Sequence, residues 1–173
     1  NGETLIDMDN VIDYAMVIFY GGNLDAAITW FGGDRWHNNW HGIRNRSGDE
    51  GFKFFIWDAE HTFLVESMNK GLHEDRTGPF PAGQQFGSSN PQWLWQQCLE
   101  NEEFRMRAAD RIHELYYGEG LLTPKAVRAI VTKRMHEIES AVICESARWG
   151  DAARRDNPLN RDDHWRREMQ QIL

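Results

Sequence analysis

Between Asn23 and His61 the chain gathers side chains able to do chemistry: Asn23, Asp25, Asp34, His37, Asn38, Asn39, His41, Asp58, Glu60 and His61. Aspartate and asparagine are hard oxygen donors, the ligand type that Mg²⁺ requires, and a loop carboxylate can orient a nucleophile and take its proton. His37 and His41 lie four residues apart, with Asp58 and His61 downstream, which is also a donor set for zinc. No helix is predicted there to align the two histidines, which weakens the zinc reading. Asp25, Asn38 and Asn39 also have a local use, since both residue types hydrogen-bond their own backbone in turns. Asp58 is harder to dismiss. It directly follows the apolar run Phe54-Phe55-Ile56-Trp57, and a carboxylate beside a core needs a partner or a metal.

These groups fall on loops, so rigid elements on either side must position them. Residues 11–20 are apolar nearly all the way round, with Asp7 or Asp9 as the cap and Gly21-Gly22 as the stop, which predicts a buried helix. Residues 40–44 and 52–57 are strand-like runs separated by the turn signal Ser47-Gly48-Asp49-Glu50-Gly51, which predicts a β-hairpin. Residues 68–89 are rich in Gly and Pro and read as a long surface loop.

The remainder is helical. Asn90-Pro91 opens a short helix through Cys98. Asn101 caps the next, with Glu102 and Glu103 against its dipole and Phe104, Ala108, Ile112 and Leu115 as the buried stripe. Thr123-Pro124 opens a third, with Val127, Val131, Ile138, Val142 and Trp149 on one stripe and Gly150 as its end. Residues 161–173 form a last, weakly held helix. The fold class is therefore mainly α (α+β) with one small hairpin. Residues 1–150 form one lobe and 151–173 a charged C-terminal segment.

Composition bounds the function classes. A chain of 173 residues with 40% hydrophobic content can bury one core, and eight Trp argue against disorder. A net charge of −8 with no Lys/Arg-rich segment argues against nucleic acid as a partner. The longest apolar run, residues 14–20, is far too short for a membrane span. Cys98 and Cys144 are not at metal-ligand spacing; a disulfide between packed helices and two buried thiols both remain open.

The parts have a telling order: a buried helix, a loop Asp, an Asn at a strand start, a hairpin, then an Asp directly after the second strand. The catalytic lobe of protein kinases runs in that order. Asp9-Asn10-Val11-Ile12-Asp13-Tyr14, Gly22-Asn23-Leu24-Asp25, His37-Asn38-Asn39-Trp40-His41-Gly42-Ile43-Arg44 and Phe54-Phe55-Ile56-Trp57-Asp58-Ala59-Glu60 resemble successive motifs of the CotH (spore-coat protein H) atypical kinase family. Glu103-Phe104-Arg105 and Thr123-Pro124 resemble its C-terminal helices. The resemblance runs from about Asp7 to about Trp149, and its specificity lies in five weak motifs occurring in order.

That resemblance implies a protein-kinase-like C-terminal lobe. Asp25 is similar to the catalytic-loop Asp, while Asn39 and Asp58 are similar to the residues that hold metal and nucleotide. Asn38 is the alternative to Asn39. The implied cofactors are Mg²⁺ and ATP, and the implied acceptor is a hydroxyl of a protein substrate in the spore coat or at the cell surface. Three departures stand out. The stretch from Asp25 to Asn39 is longer than an ordinary kinase catalytic loop; Asp34 has the five-residue spacing to Asn39 and competes for the base role; and Glu60 stands where the family often has a second Asp. No glycine-loop, strand-rich segment precedes the first helix, so a nucleotide-binding N-terminal lobe is expected as a missing partner, and no independent turnover is expected of this stretch. Two further readings stand beside this one: a surface structural or adhesion module without turnover, and a metal-dependent hydrolase using His37, His41 and Asp58.

Overall fold

The computed structural model describes residues 4–23, 25–27, 39–63, 75, 77–79 and 91–173. It divides the chain into two compact units, Asn1–Leu115 and Tyr116–Leu173. The first unit contains helix α1 (Met8–Gly21), strands β1 (Trp40–Ile43) and β2 (Lys53–Ile56), helix α2 (Pro91–Cys98) and nearly all of helix α3 (Glu102–Tyr116). The second contains helix α4 (Pro124–Ala153), a π-helical turn (Arg161–Trp165) and helix α5 (Arg166–Ile172). Among the described residues the two strands form a single antiparallel sheet, so the architecture is mainly helical, as the sequence predicts.

Helix α1 is the centre of the first unit. The Asp7 carboxylate caps it by accepting the Asn10 amide, and Gly22, left-handed at φ 58°, closes the other end against the carbonyls of Ile18 and Phe19. Val11, Ile12, Tyr14, Ala15, Met16 and Ile18 are buried. Trp95 on α2 and Phe104, Ala108 and Leu115 on α3 are buried as well. Phe19 meets Trp95 edge-on at 5.9 Å between ring centroids, and Trp95 meets Phe104 in the same manner at 5.7 Å. Two ion pairs tie α3 to α1: Arg107 to Asp9 at 2.6 Å, and Arg111 to both oxygens of Asp13 at 2.6 and 2.8 Å.

The hairpin pairs Trp40 with Ile56, His41 with Phe55, Gly42 with Phe54 and Ile43 with Lys53. Phe54 sits at 5.7 Å from Trp40 and 6.1 Å from Tyr14, so one face of the sheet rests on α1. The other carries His41, Ile43, Phe55 and Trp57, all exposed. The Asn10 side chain locks the hairpin in place. It donates to the Phe54 carbonyl at 3.2 Å and accepts the Phe54 amide at 2.5 Å, standing in for a neighbouring strand. Both strands are shorter than predicted. Phe52 leaves β2 because its amide and carbonyl pair with Leu5 and Asp7, in an isolated parallel bridge between Ile6 and Phe52.

In the second unit, Thr123 caps α4 by accepting the Ala126 amide at 3.3 Å. Two expectations for this helix fail. Gly150 does not end it: α4 runs on to Ala153, and Gly150 is buried because the returning chain passes over it, with Leu159 N donating to Gly150 O at 2.9 Å. An added Cβ there would lie 2.3 Å from the Leu159 carbonyl oxygen, so the glycine serves close approach rather than chain reversal. The expected apolar stripe is also incomplete, since Ile138 and Trp149 are about half exposed. The helical segment expected over 161–173 is present, and Arg166 pairs with Glu139 to hold it on α4. Cys98 and Cys144 are both free thiols. No helix among the described residues is long and apolar enough to cross a membrane.

Candidate functional site

The loop that leaves α1 is unusual in being polar and buried. Asn23 is 2% exposed and Asp25 7%, with Ala26 and Ala27 equally enclosed. The left-handed Gly22 turns the chain inward at once, so these residues enter the interior instead of running over the surface. A buried carboxylate demands partners. One oxygen of Asp25 has one: Oδ2 accepts Asn39 Nδ2 at 2.8 Å. The other, Oδ1, has no hydrogen-bond partner among the described residues. Neither amide atom of Asn23 has a partner among them either.

Asn39 reaches Asp25 because of its backbone. Its φ of 58° is left-handed, and its carbonyl accepts the Trp57 amide at 3.1 Å, extending the hairpin by one pair beyond the strands. Asp58, the next residue, is also left-handed at φ 52°, and Phe63 follows at φ 56°. Non-glycine residues in this region each cost on the order of 1–3 kcal/mol, and such costs concentrate where side chains are held for a purpose. Residues 58–63 fold back over the end of α1, where the Phe63 amide donates to Gly21 O at 2.8 Å and Tyr20 meets the Phe63 ring edge-on at 6.0 Å.

That return brings Glu60 and His61 to Asp25. One possible ligand atom from each of Asp25, Glu60 and His61 lies within 4.8 Å of the others. His61 Nε2 is 3.5 Å from Glu60 Oε1, and His61 Nδ1 is buried with no partner among the described residues. The exposed Asp58 joins the group through Glu60. The Glu60 carboxyl, by hydrogen bond and by charge, raises the Asp58 carboxyl above its ordinary value, with His61 pulling weakly the other way.

Of the residues singled out in sequence, the structure thus puts Asp25 and Asn39 in direct contact and Asp58 beside Glu60 at the edge of the same cluster. Asp34, His37 and Asn38 lie outside the described residues. His41 does not join the cluster; it stands exposed on the outer face of the hairpin, edge-on to Trp57 at 5.3 Å. In the sequence alone Glu60 has no assigned role, and His61 has only a downstream place in the zinc reading. Their adjacency just past Asp58, in a turn short enough to swing back, was the available signal. Asn10 lies within a motif that resembles the family's, but its role as anchor of β2 depends on a contact across 44 residues that no local pattern announces.

The geometry can do two things: hold a carboxylate by one oxygen with the other oxygen available, and gather oxygen donors beside it. The family model described as CotH kinase protein matches residues 2–173. Neither the curated proteins nor the solved structures contain a match to the chain.

Proposed function

The chain belongs to the CotH kinase family, and from that premise we propose that it is the catalytic lobe of an atypical protein-kinase-like phosphotransferase, which moves the γ-phosphate of ATP to a protein hydroxyl. The observation that carries the reading is the state of Asp25: a buried carboxylate whose Oδ2 is tied to Asn39 while Oδ1 is left without a partner among the described residues. A base that orients a hydroxyl needs one such oxygen fixed and one available.

The remaining donors fit a magnesium nucleotide. Asn39 uses its Nδ2 on Asp25, which leaves its carbonyl oxygen, and Asp58 presents an exposed carboxylate after β2. These are the hard oxygen ligands that Mg²⁺ takes. Bound there, Mg²⁺ and ATP would supply charge neutralisation on the phosphates and the transferable group. Asp25 would orient the acceptor hydroxyl and receive its proton, and Asn39 would hold both the Asp25 carboxylate and the metal side of the site. Asp58 lies beside Glu60, and a bound cation would offset the repulsion between the two carboxylates. Family membership also motivates protein substrates in a spore coat or at a cell surface.

Nucleotide-dependent metal binding tests this reading. By calorimetry, ATP should bind in the presence of Mg²⁺ and lose affinity by about tenfold or more on Asp58→Ala, the scale expected when a metal-binding group is lost. ATP binding indifferent to Mg²⁺ and to Asp58 would contradict it, and partner binding without metal or nucleotide would favour a surface adhesion module.

A further inference from the structure

We propose that Asp25, Glu60 and His61 form a second kind of cation site, one that takes a borderline divalent transition ion, Zn²⁺ above Mn²⁺, and discriminates against Mg²⁺. Three observations converge. One potential ligand atom from each residue lies within 4.8 Å of the other two, near enough for small side-chain rotations to bring all three onto a common ion. Asp25 is 7% exposed, and its Oδ1 has no hydrogen-bond partner among the described residues. His61 Nδ1 is likewise buried and without a partner among them, and His61 Nε2 stands 3.5 Å from Glu60 Oε1, longer than a good hydrogen bond.

Buried polar atoms without partners are uncommon, and each calls for an explanation such as an ion. Here the unsatisfied atoms belong to residues that gather at one point. The second oxygen of Asp25 is already committed to Asn39, which fixes the carboxylate's orientation in the way an outer partner fixes a metal ligand.

The ligand chemistry selects the ion. Two carboxylates and an imidazole suit Zn²⁺, Mn²⁺ or a neighbouring transition ion, whereas Mg²⁺ prefers oxygen alone and dehydrates reluctantly. Three protein ligands leave a coordination position for water or another group. Glu60 is exposed and the other two are not, so the cluster opens to solvent on the Glu60 side. The site differs from the zinc set suggested by His37 and His41, because His41 is turned away onto Trp57.

The proposal stands on the donor geometry and does not require Asp25 to be a catalytic base. If it is one, a transition ion and the acceptor hydroxyl compete for the same Oδ1, and the site is a point at which such an ion blocks transfer.

The test uses the purified protein, stripped of metal with a chelator and titrated with Zn²⁺, Mn²⁺ and Mg²⁺ in the absence of nucleotide. One Zn²⁺ per chain should bind, more tightly than Mn²⁺, with Mg²⁺ weaker by about a hundredfold or more. His61→Leu should weaken Zn²⁺ by about tenfold or more with the circular dichroism spectrum unchanged, while His41→Ala should leave it as it was. Should His61→Leu unfold the protein, X-ray absorption of the zinc-loaded parent decides instead: a single imidazole among oxygen ligands supports the site, and several imidazoles or none overturn it. Equal affinity for Zn²⁺ and Mg²⁺, or Zn²⁺ binding lost with His41 and kept without His61, would also overturn it. Mg²⁺-dependent ATP binding, measured separately, reports on the phosphotransfer reading alone.

Discussion

Asn39 Nδ2 donates to Asp25 Oδ2 at 2.8 Å across 14 residues of chain, and it does so from a left-handed backbone at φ 58°. This bond joins the loop leaving α1 to the start of the hairpin and gives the buried Asp25 carboxylate its partner among the described residues. Removing it leaves both oxygens unpaired there, so Asn39→Ala should destabilise the protein by about 1–3 kcal/mol in a urea melt. Asn39→Gly separates the two effects. It loses the hydrogen bond but relieves the backbone, and should cost less than alanine by about 1 kcal/mol. If the two variants melt alike, the left-handed conformation carries no strain.

Gly51 is buried where the N-terminal segment crosses the hairpin, and a Cβ there would lie 2.4 Å from backbone atoms of Ile6. Backbone cannot swing aside as a side chain can. Gly51→Ala should therefore break the Ile6–Phe52 bridge and lower stability by about 1–3 kcal/mol. Amide exchange at Phe52 and Asp7, whose N–H groups bond across this bridge, should accelerate selectively.

The two clamps between α1 and α3 differ in geometry. Arg111 grips Asp13 with two parallel bonds and Glu114 with a third, whereas Arg107 meets Asp9 through one, in the open. Arg111→Ala should cost about 1 kcal/mol and Arg107→Ala a few tenths, both less at high salt. The Arg107 hydrogen bond holds the Asp9 carboxyl below its ordinary 3.8. A depressed carboxylate adds stability that is present above its unfolded value and lost as pH falls through the folded one. Acid sensitivity below about pH 4 should thus diminish in Arg107→Ala.

Asp58 has the opposite sign. Glu60 raises its carboxyl, so the folded state favours the protonated form. Its contribution is full below the unfolded value and is lost as pH rises through the folded one. Glu60→Gln should move the Asp58 titration down towards the ordinary aspartate range, followed by carbon-detected NMR. A midpoint that stays where it was would show that Glu60 is not the cause.

Much of this fold is legible locally. Asp7, Gly22, Asn101 and Thr123 punctuate helices by their own side-chain and backbone chemistry, and the turn at 47–51 announces the hairpin. What stays hidden is whatever depends on the chain meeting itself. Gly150 looks like a helix stop, yet it is a contact point for Leu159; Asn10 looks like helix interior, yet it edges a strand. The site follows the same rule. Asp25 and Asn39 could be chosen by type, order and resemblance, but the approach of Glu60 and His61 depends on left-handed turns at Asp58, a type that tolerates them, and at Phe63, a type that gives no hint of one.

The central claim is that Asp25 orients the acceptor hydroxyl, and the rate of γ-phosphate transfer from radiolabelled ATP to protein, measured on the natural protein, tests it most directly. Asp25→Ala should cut that rate by about a hundredfold or more, the scale for losing a positioned acid–base group, and raising Mg²⁺ or Mn²⁺ should not restore it. Asp34→Ala should matter much less, and Asp58→Ala should lose transfer in a way that added metal partly restores. Undiminished transfer in Asp25→Ala, with Asp34→Ala inactive, would contradict the account and place the base at Asp34.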